Sequence, residues 1–578
     1  MDNPIAFGIV VLSIVLSFVI SYMARHATAT TEDFYVAGGK VSWRLNGVAM
    51  FGDYCSAASF LGVAGAIALA GVDSWWIALG FFGAWITVLL VMAGPLKNAG
   101  KYTVGDILVA RVGGRGVKLL AMSITIVLGV LYLVPQLVGA GHLFQLLLGW
   151  DYTITVLVSG IFMGLMVVVG GMLGTTWNQA VQGVMLLAAM IILMIAASVM
   201  YFGGNPFNII SQAGETVAPT AAARIDSVKA QWEQRKLTPE ALAAAEAAPG
   251  TPADSEAAAR AADAAATRVA LEAARAEPHE AVFAQSAEIR AAAPDAPSGM
   301  TAGAATPDMW SQISLVLGLL LGVAGLPHIL IRFYTVKDAR AAQKGAVITI
   351  WGLAIFYLAV IFVGLAIMMV LYPALVGYLV EGQRGMATNM AVPLLSIKIA
   401  GEPLLGVVAA GAMAAMLSTA VGLLISMTTS LSHDAYAGVF RPNSSDKERV
   451  AFAKIGAVVL TVIAILASLW LKDQNVAILV AMCFGIAAST FAPAILLSLW
   501  WRGLTKEGII AGMVIGLVVS LTFTFARFLN VPDIFGIRVL GNPALYGVPV
   551  AFLSMYLVSL FTSTRGNVDE FMAVAHRD

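Results

Sequence analysis

Thirteen stretches of this chain are apolar over about the twenty residues that a helix needs to cross a bilayer. They run at roughly 5–25, 45–70, 75–96, 119–149, 152–173, 177–203, 309–333, 346–372, 403–432, 450–471, 475–501, 508–530 and 544–563. Lipid offers no hydrogen bonds, so a segment of this length must satisfy its own backbone, which leaves the α-helix. The expected fold class is therefore an all-α membrane protein with about 13 transmembrane helices. Only 11% of the residues are charged, against about a quarter in an ordinary soluble domain. Net charge is zero and no basic block stands out, so nucleic acid is not an expected partner and the lipid bilayer is. Cys55 and Cys483 both lie in apolar segments and suggest no disulfide framework. Residues 5–25 lack a basic leader and a small-residue cleavage site, so they read as a span and not as a signal peptide.

Lysine and arginine give the orientation. With the N-terminus outside, the short inward loops and the C-terminus carry nineteen of them: Arg25, Lys40, Arg44, Lys97, Lys101, Arg111, Arg115, Lys118, Arg332, Lys337, Arg340, Lys344, Arg441, Lys447, Arg449, Arg502, Lys506, Arg565 and Arg577. The short outward loops carry five: Arg384, Lys398, Lys472, Arg527 and Arg538. The excess predicts an outside N-terminus and a cytoplasmic C-terminus. The domain layout then follows. Residues 1–203 hold the first six spans, 204–308 an extracytoplasmic insert, 309–563 the remaining spans and 564–578 a cytoplasmic tail. Between 221 and 310, 33 of 90 residues are alanine, while Leu, Ile, Val and Phe number nine. Alanine favours helix, but so little large apolar surface cannot offset chain entropy. Weakly ordered or short helices are expected there, cut by Pro239, Pro249, Pro252, Pro278, Pro294 and Pro297.

Asp53 interrupts the second span. An ionisable group at bilayer depth costs at least roughly 2.5–3.5 kcal/mol, which makes it a candidate functional residue. Gly52 precedes it, and Ser56, Ser59 and Gly62 follow. Such a run lets a helix unwind midway, and the freed carbonyls and amides must then face a cavity. A second segment, Gly411–Tyr436, has the length of a helix yet is small and hydroxylated along much of its course. Ala415, Ser418 and Thr419 stand at i, i+3 and i+4 and share one face. Two hydroxyls and a carbonyl there form half the shell of a small hard cation. Equally, small residues allow helices to pack closely in lipid, and spacing alone leaves both readings open.

The chain resembles the sodium:solute symporter family, and within it the cation/acetate symporter (acetate permease) branch. The matching stretches are Phe34–Gly39, Gly52–Gly62, Gly170–Trp177, Ala324–Phe333 and Ser432–Tyr436. The resemblance implies a leucine-transporter-like core of two inverted five-helix repeats with a broken first core helix. It implies a sodium site made by the carbonyls of Gly52, Cys55 and Ala415 and the side chains of Ser418 and Thr419. Many members carry Thr-Asp after the tryptophan of the Gly-Gly motif, where this chain has Asn178-Gln179, so a second cation site there is in doubt.

For a substrate, a small carboxylate would meet the positive ends of broken helices. Asp53, Tyr54, Ser56, Ser59, Gln136, Gly325 and His328 are the candidate contacts. Gln136 could instead make a helix–helix hydrogen bond, and His328 could be a satisfied packing histidine. Asp53 either meets the cation or braces the unwound segment by accepting backbone amides. His433 and Asp434 read as a cytoplasmic cap or gate, Trp75 and Trp76 as an interfacial belt, and Lys337, Asp338, Arg340 and Lys344 as topology signals.

The reading is a secondary active symporter of the bacterial inner membrane, not an enzyme, importing a small monocarboxylate such as acetate with Na⁺ and without a cofactor. A small membrane subunit is a possible partner. Proton coupling through Asp53 or His328, and a receptor-like module signalling through a partner, are the alternatives; an ion channel would need a filter-like carbonyl repeat that the chain lacks. Asp53→Ala is expected to insert normally and to abolish uptake. Near-normal uptake of labelled acetate by that variant would overturn the assignment.

Overall fold

The computed structural model describes residues 3–24, 30–218, 221–247, 255–303 and 308–577; Arg25, Pro249 and Pro252 lie outside the described residues. Helices make up nearly all of it. The one sheet among the described residues is a minimal hairpin pairing Asp533 with Arg538 and Ile534 with Ile537. Ten of the described helices are long and apolar enough to cross a membrane, and Tyr152–Val167 and Ala544–Leu560 are shorter apolar helices. Burial sorts them into an inner set and an outer set. The helix Ala391–Ser430 is buried at every position from Val408 to Ser430, whereas Pro4–Ala24 turns Leu12, Leu16 and Met23 outward. A helix apolar on all sides suits either a lipid face or the middle of a bundle; only its neighbours decide which.

Two spans are broken midway. The first begins at Trp43, where the Ser42 hydroxyl accepts from the Leu45 amide and caps the helix. It stops at Tyr54, Cys55 turns extended (φ −72°, ψ 96°), and the chain resumes through the wide turn Ala58–Gly62 into Val63–Ala70. The second runs over Met309–Gly322, passes a tight turn at Val323–Gly325, and restarts at Pro327 after an extended Leu326 (φ −93°, ψ 108°). Proline suits the first position of that restart because its missing N–H would have had no partner. Two further kinks need glycine. Gly171 (φ 52°, ψ −166°) divides Tyr152–Tyr201 into the two expected spans, and Gly401 (φ 65°, ψ −151°) divides Ala391–Ser430. Both backbones lie in a region that side chains other than glycine avoid.

The loops separate onto two faces. Buried Arg111 donates to the carbonyls of Trp501, Arg502 and Arg565, tying two loops to the helix Val104–Val112 at one face. Asn98 reaches Ala575 and Arg577 on that face. At the opposite face Asn3 donates to the Leu146 carbonyl, and the Ile5 amide donates to Glu402. Arg332 departs from the loop reading. Hydropathy puts it at a helix end among the topology charges, but it is 1% exposed and inside the bundle.

The alanine-rich insert forms helices Phe207–Glu215, Ala222–Lys236, Pro239–Glu246, Ser255–Ala276 and His279–Ala292. They borrow a core instead of building one. Trp232 is buried against Gly377, where an added methyl would lie 2.4 Å from its ring, and its Nε1 donates to Glu381 at 3.0 Å. The Arg224 guanidinium lies 4.1 Å from the centre of the Tyr372 ring and donates to the Met368 carbonyl. Trp232→Ala is expected to loosen the helix Ala222–Lys236 and to speed tryptic cleavage at Lys229, Arg235 and Lys236 severalfold; unchanged cleavage would show that the insert is held elsewhere.

Candidate functional site

The first break is satisfied by side chains from other helices. Ser418 Oγ donates to the Gly52 carbonyl at 2.7 Å and lies 2.9 Å from the Ala415 carbonyl; Thr419 Oγ1 donates to the Asp53 carbonyl at 2.6 Å. On the other side of the break the Ala57 amide donates to Gln136 Oε1 at 2.9 Å. Water would do this in solution; here protein hydroxyls and an amide do it, as burial requires. Gly52, Ala415, Ser418 and Thr419 thus come together in one buried group. The carbonyl that Thr419 meets is that of Asp53, two residues before Cys55, because the helix still runs through Tyr54. Gly52 also permits the closest approach in this region, since a methyl there would be 2.0 Å from the Gln179 carbonyl.

Two residues of this group escape a sequence reading. Gln179 Nε2 donates to the Ser418 carbonyl at 2.8 Å, so its amide braces the hydroxyl helix. Its neighbour Asn178 turns away and donates to Ser21 at 2.6 Å. Arg332 is the second. Its Nε lies 3.2 Å from Asp53 Oδ2, and its Nη1 donates to Thr176 Oγ1 at 2.7 Å. Asp53 is therefore held by a guanidinium, and among the described residues no backbone amide donates to its carboxylate. The signal was present in the stretch Ala324–Phe333, where Arg332 stands four residues after His328, one turn along the same helix.

Tyr132 organises several of the expected substrate contacts. Its hydroxyl is 3.5 Å from Ser56 Oγ, its carbonyl accepts from Gln136 Nε2, and its ring packs edge-on against His328 at 5.2 Å. Neither ring nitrogen of buried His328 has a hydrogen-bond partner among the described residues. Its ring lines a narrow crevice with room for about one water molecule, together with Thr125, Leu128, Gly129, Leu326, Pro327, Leu423, Ser426 and Met427. Tyr54 and Ser59 point elsewhere, to the Phe81 carbonyl at 2.9 Å and the Tyr357 hydroxyl at 2.8 Å. Gly325 packs on the end of helix Val476–Ala488, where a methyl would be 2.4 Å from the Ala487 carbonyl. It is a close-packing position.

A second, tighter crevice shares Thr125, Pro327 and Ser426 with the first and continues to Thr103 and Ser430. Both of these hydroxyls donate to Asp434, at 3.0 and 2.5 Å. Asp434, Asp106 and His433 lie close enough to hold a metal ion. Lys118 already fills the cation's place, with Nζ 3.2 Å from Asp106, 3.5 Å from Asp434 and 3.3 Å from His433. Burial would raise the Asp106 carboxyl, but the hydrogen bond and charge of His433 and the charge of Lys118 outweigh it and hold the group below its usual range. The narrow passage thus ends in a charged plug at the loop face.

A model of the sodium:solute symporter family matches residues 34–245 and 269–516. The uncharacterized symporter YwcA of Bacillus subtilis (strain 168) is 33% identical over 577 residues, covering 98% of this chain and 96% of the relative. A Na⁺-coupled sialic acid symporter, solved in a substrate-bound outward-open state, superposes with a TM-score of 0.64 at 14% identity, over 97% of this chain and 98% of that one. At that identity the likeness speaks for the fold. The architecture is the leucine-transporter-like one, an all-α membrane fold with a broken first core helix.

Gln136→Leu removes the acceptor of the Ala57 amide while keeping the side chain's bulk. Leaving a buried donor unsatisfied costs about 1–3 kcal/mol, so thermal unfolding of the purified variant in detergent is expected several degrees lower. An unchanged transition would mean that the break holds itself.

Proposed function

The chain belongs to the sodium:solute symporter family, and from that premise we propose that it couples inward sodium flux to the uptake of a small monocarboxylate such as acetate. One observation carries the reading. Two hydroxyls, Ser418 and Thr419, meet main-chain carbonyls of Gly52, Asp53 and Ala415 at a helix break buried from solvent. All five oxygens are neutral and hard, the donor set that suits a small hard cation. Each hydroxyl now donates its proton to a carbonyl; with sodium bound, both partners turn lone pairs to the ion, and the hydroxyl protons move to other acceptors. Cys55 supplies a further carbonyl in this reading.

The anion belongs on the other side of the break. The restart at Pro327 points the positive end of a half-helix toward the cavity that His328 lines. Tyr132 packs against the His328 ring and connects it to Ser56 and Gln136. Transport then proceeds by alternating access. With the N-terminus outside and the charged plug of Asp106, Lys118, His433 and Asp434 at the cytoplasmic side of a bacterial inner membrane, sodium and substrate enter from outside and leave once the plug parts. The membrane potential adds roughly 2.3 kcal/mol per charge per 100 mV when sodium outnumbers the anion.

The unpartnered imidazole of His328 favours one alternative, coupling to protons. Labelled acetate uptake by proteoliposomes, with sodium and pH gradients imposed separately, distinguishes the two. Uptake is expected to follow the sodium gradient, and Ser418→Ala is expected to raise the sodium half-saturation about tenfold, the equivalent of one hydrogen-bond-sized contact of about 1.4 kcal/mol. Uptake driven by pH alone, and indifferent to sodium and to Ser418→Ala, would overturn the sodium reading in favour of protons.

A further inference from the structure

We infer that Arg332 is a positioning residue of this site: by cancelling the charge of Asp53 beside the cation oxygens, it makes sodium binding depend on the negative charge of the substrate. The inference rests on the sodium-symport reading above.

The pair is enclosed. Asp53 is 0% and Arg332 1% exposed, with Nε 3.2 Å from Oδ2. Arg332 is also fixed from two other directions. Thr176 Oγ1 accepts from its Nη1 at 2.7 Å, and the Arg332 carbonyl accepts from Asn46 Nδ2 at 3.1 Å. Asn46 lies on the same half-helix as Asp53, so Arg332 grips that half-helix through both its side chain and its backbone. Arg332 itself rides on the restarted half of the second broken helix. One residue thus links the two breaks.

Asp53 is equally close to the cation oxygens. Its own carbonyl accepts from Thr419, and its free Oδ1 lies where a methyl on Gly422 would come within 2.2 Å. Gly422 stands four residues after Ser418, about one helical turn or 6 Å along the axis. Oδ1 has no hydrogen-bond partner among the described residues, so the carboxylate faces the hydroxyl helix without being consumed by it.

The charge balance follows. The pair sums to zero and the five oxygens of the cage are neutral, so a sodium ion arriving alone brings one uncompensated positive charge into a desolvated interior. At about 6 Å and an effective dielectric near 20, a unit charge changes cation affinity by up to about a hundredfold, so a tenfold shift is the least expected. A carboxylate substrate restores neutrality; a neutral solute of the same shape does not. Arg332 therefore sets the chemical class of the substrate, a monoanion, and links its binding to that of the ion without touching either.

The test uses the purified full chain in detergent, titrating sodium against choline with thermal unfolding as the readout, alone and with acetate or its neutral counterpart acetamide. For the natural chain, acetate is expected to lower the sodium half-saturation about tenfold and acetamide not at all. Arg332→Gln leaves Asp53 uncompensated, so sodium alone should bind about tenfold more tightly and the effect of acetate should fade. Asp53→Asn leaves Arg332 uncompensated, so sodium should bind about tenfold more weakly. The double variant Asp53→Asn with Arg332→Gln should recover from both shifts. A merely structural pair would move both single variants in the same direction, and that result overturns the inference. So does a natural chain that responds to sodium equally with acetate, with acetamide and with neither. If the single variants do not fold, the double variant and Arg332→Lys carry the test: retention of the acetate effect supports the inference, and its loss from both overturns it. A natural chain that does not respond to sodium under any of these conditions would sink the sodium reading itself.

Discussion

A lipid interior supplies no water to a helix that stops halfway, and the architecture around Gly52–Ala57 is an answer to that single constraint. Breaking the helix frees carbonyls at its first half and amides at its second. The carbonyls of Gly52 and Asp53 are met by Ser418 and Thr419, and the Ala57 amide by Gln136. These partners come from two helices more than seventy and three hundred residues away in the chain. Closeness of that kind requires small residues at the crossing points, which is why Gly52 and Gly422 leave no room for a methyl. A cation site needs the same arrangement: oxygens converging on a point where the backbone has been opened. In the sodium-symport reading proposed above, the demands of backbone satisfaction and ion recognition are met by the same atoms.

Buried charge follows a similar economy. A lone carboxylate or guanidinium inside the bundle would be costly, and Asp53 and Arg332 are buried as a pair. Elsewhere buried arginines are answered by carbonyls, as with Arg111 at the loop face, or by carbonyls and an aromatic ring, as with Arg224 within the insert, which donates to Val217 and Met368. At the plug, Lys118 takes the centre of three acidic or basic side chains, the position a metal ion could have held. Each of these groups joins segments distant in sequence, so charge pairing here doubles as a tie between helices. Parting the plug would separate the helix Val104–Val112 from the end of the hydroxyl helix, which is the kind of motion an exit path requires.

The insert shows the limit of arguing stability from composition. The nine Leu, Ile, Val and Phe residues between 221 and 310 cannot enclose a core, yet Trp232 and Arg224 are buried. Their partners outside the insert are Met368, near the end of the span Ala339–Val370, and Tyr372, Gly377 and Glu381, on and just after the short helix Tyr372–Val380 that follows it. Alanine supplies the helical backbone, and a few large side chains supply the attachment.

The sequence alone determined that the chain is helical and membrane-spanning, because long apolar stretches leave no other way to satisfy a backbone in lipid. It also marked Asp53 and the face of Ser418 and Thr419, since a charge and a line of hydroxyls are conspicuous against such a background. What a linear pattern cannot carry is which groups meet. The lysine and arginine count placed Arg332, at the end of the span 309–333, among the inward topology signals because it reads a residue only by its place along the chain. The tertiary structure carries it to Asp53, 279 positions away. Gln179 looked like a departure and proved to be a brace on Ser418; Gly325 looked like a binding position and proved to be a packing contact. The pairing of one buried charge with another is decided by the path of the folded chain, because Coulomb attraction and desolvation depend on distance in space and not on separation in sequence.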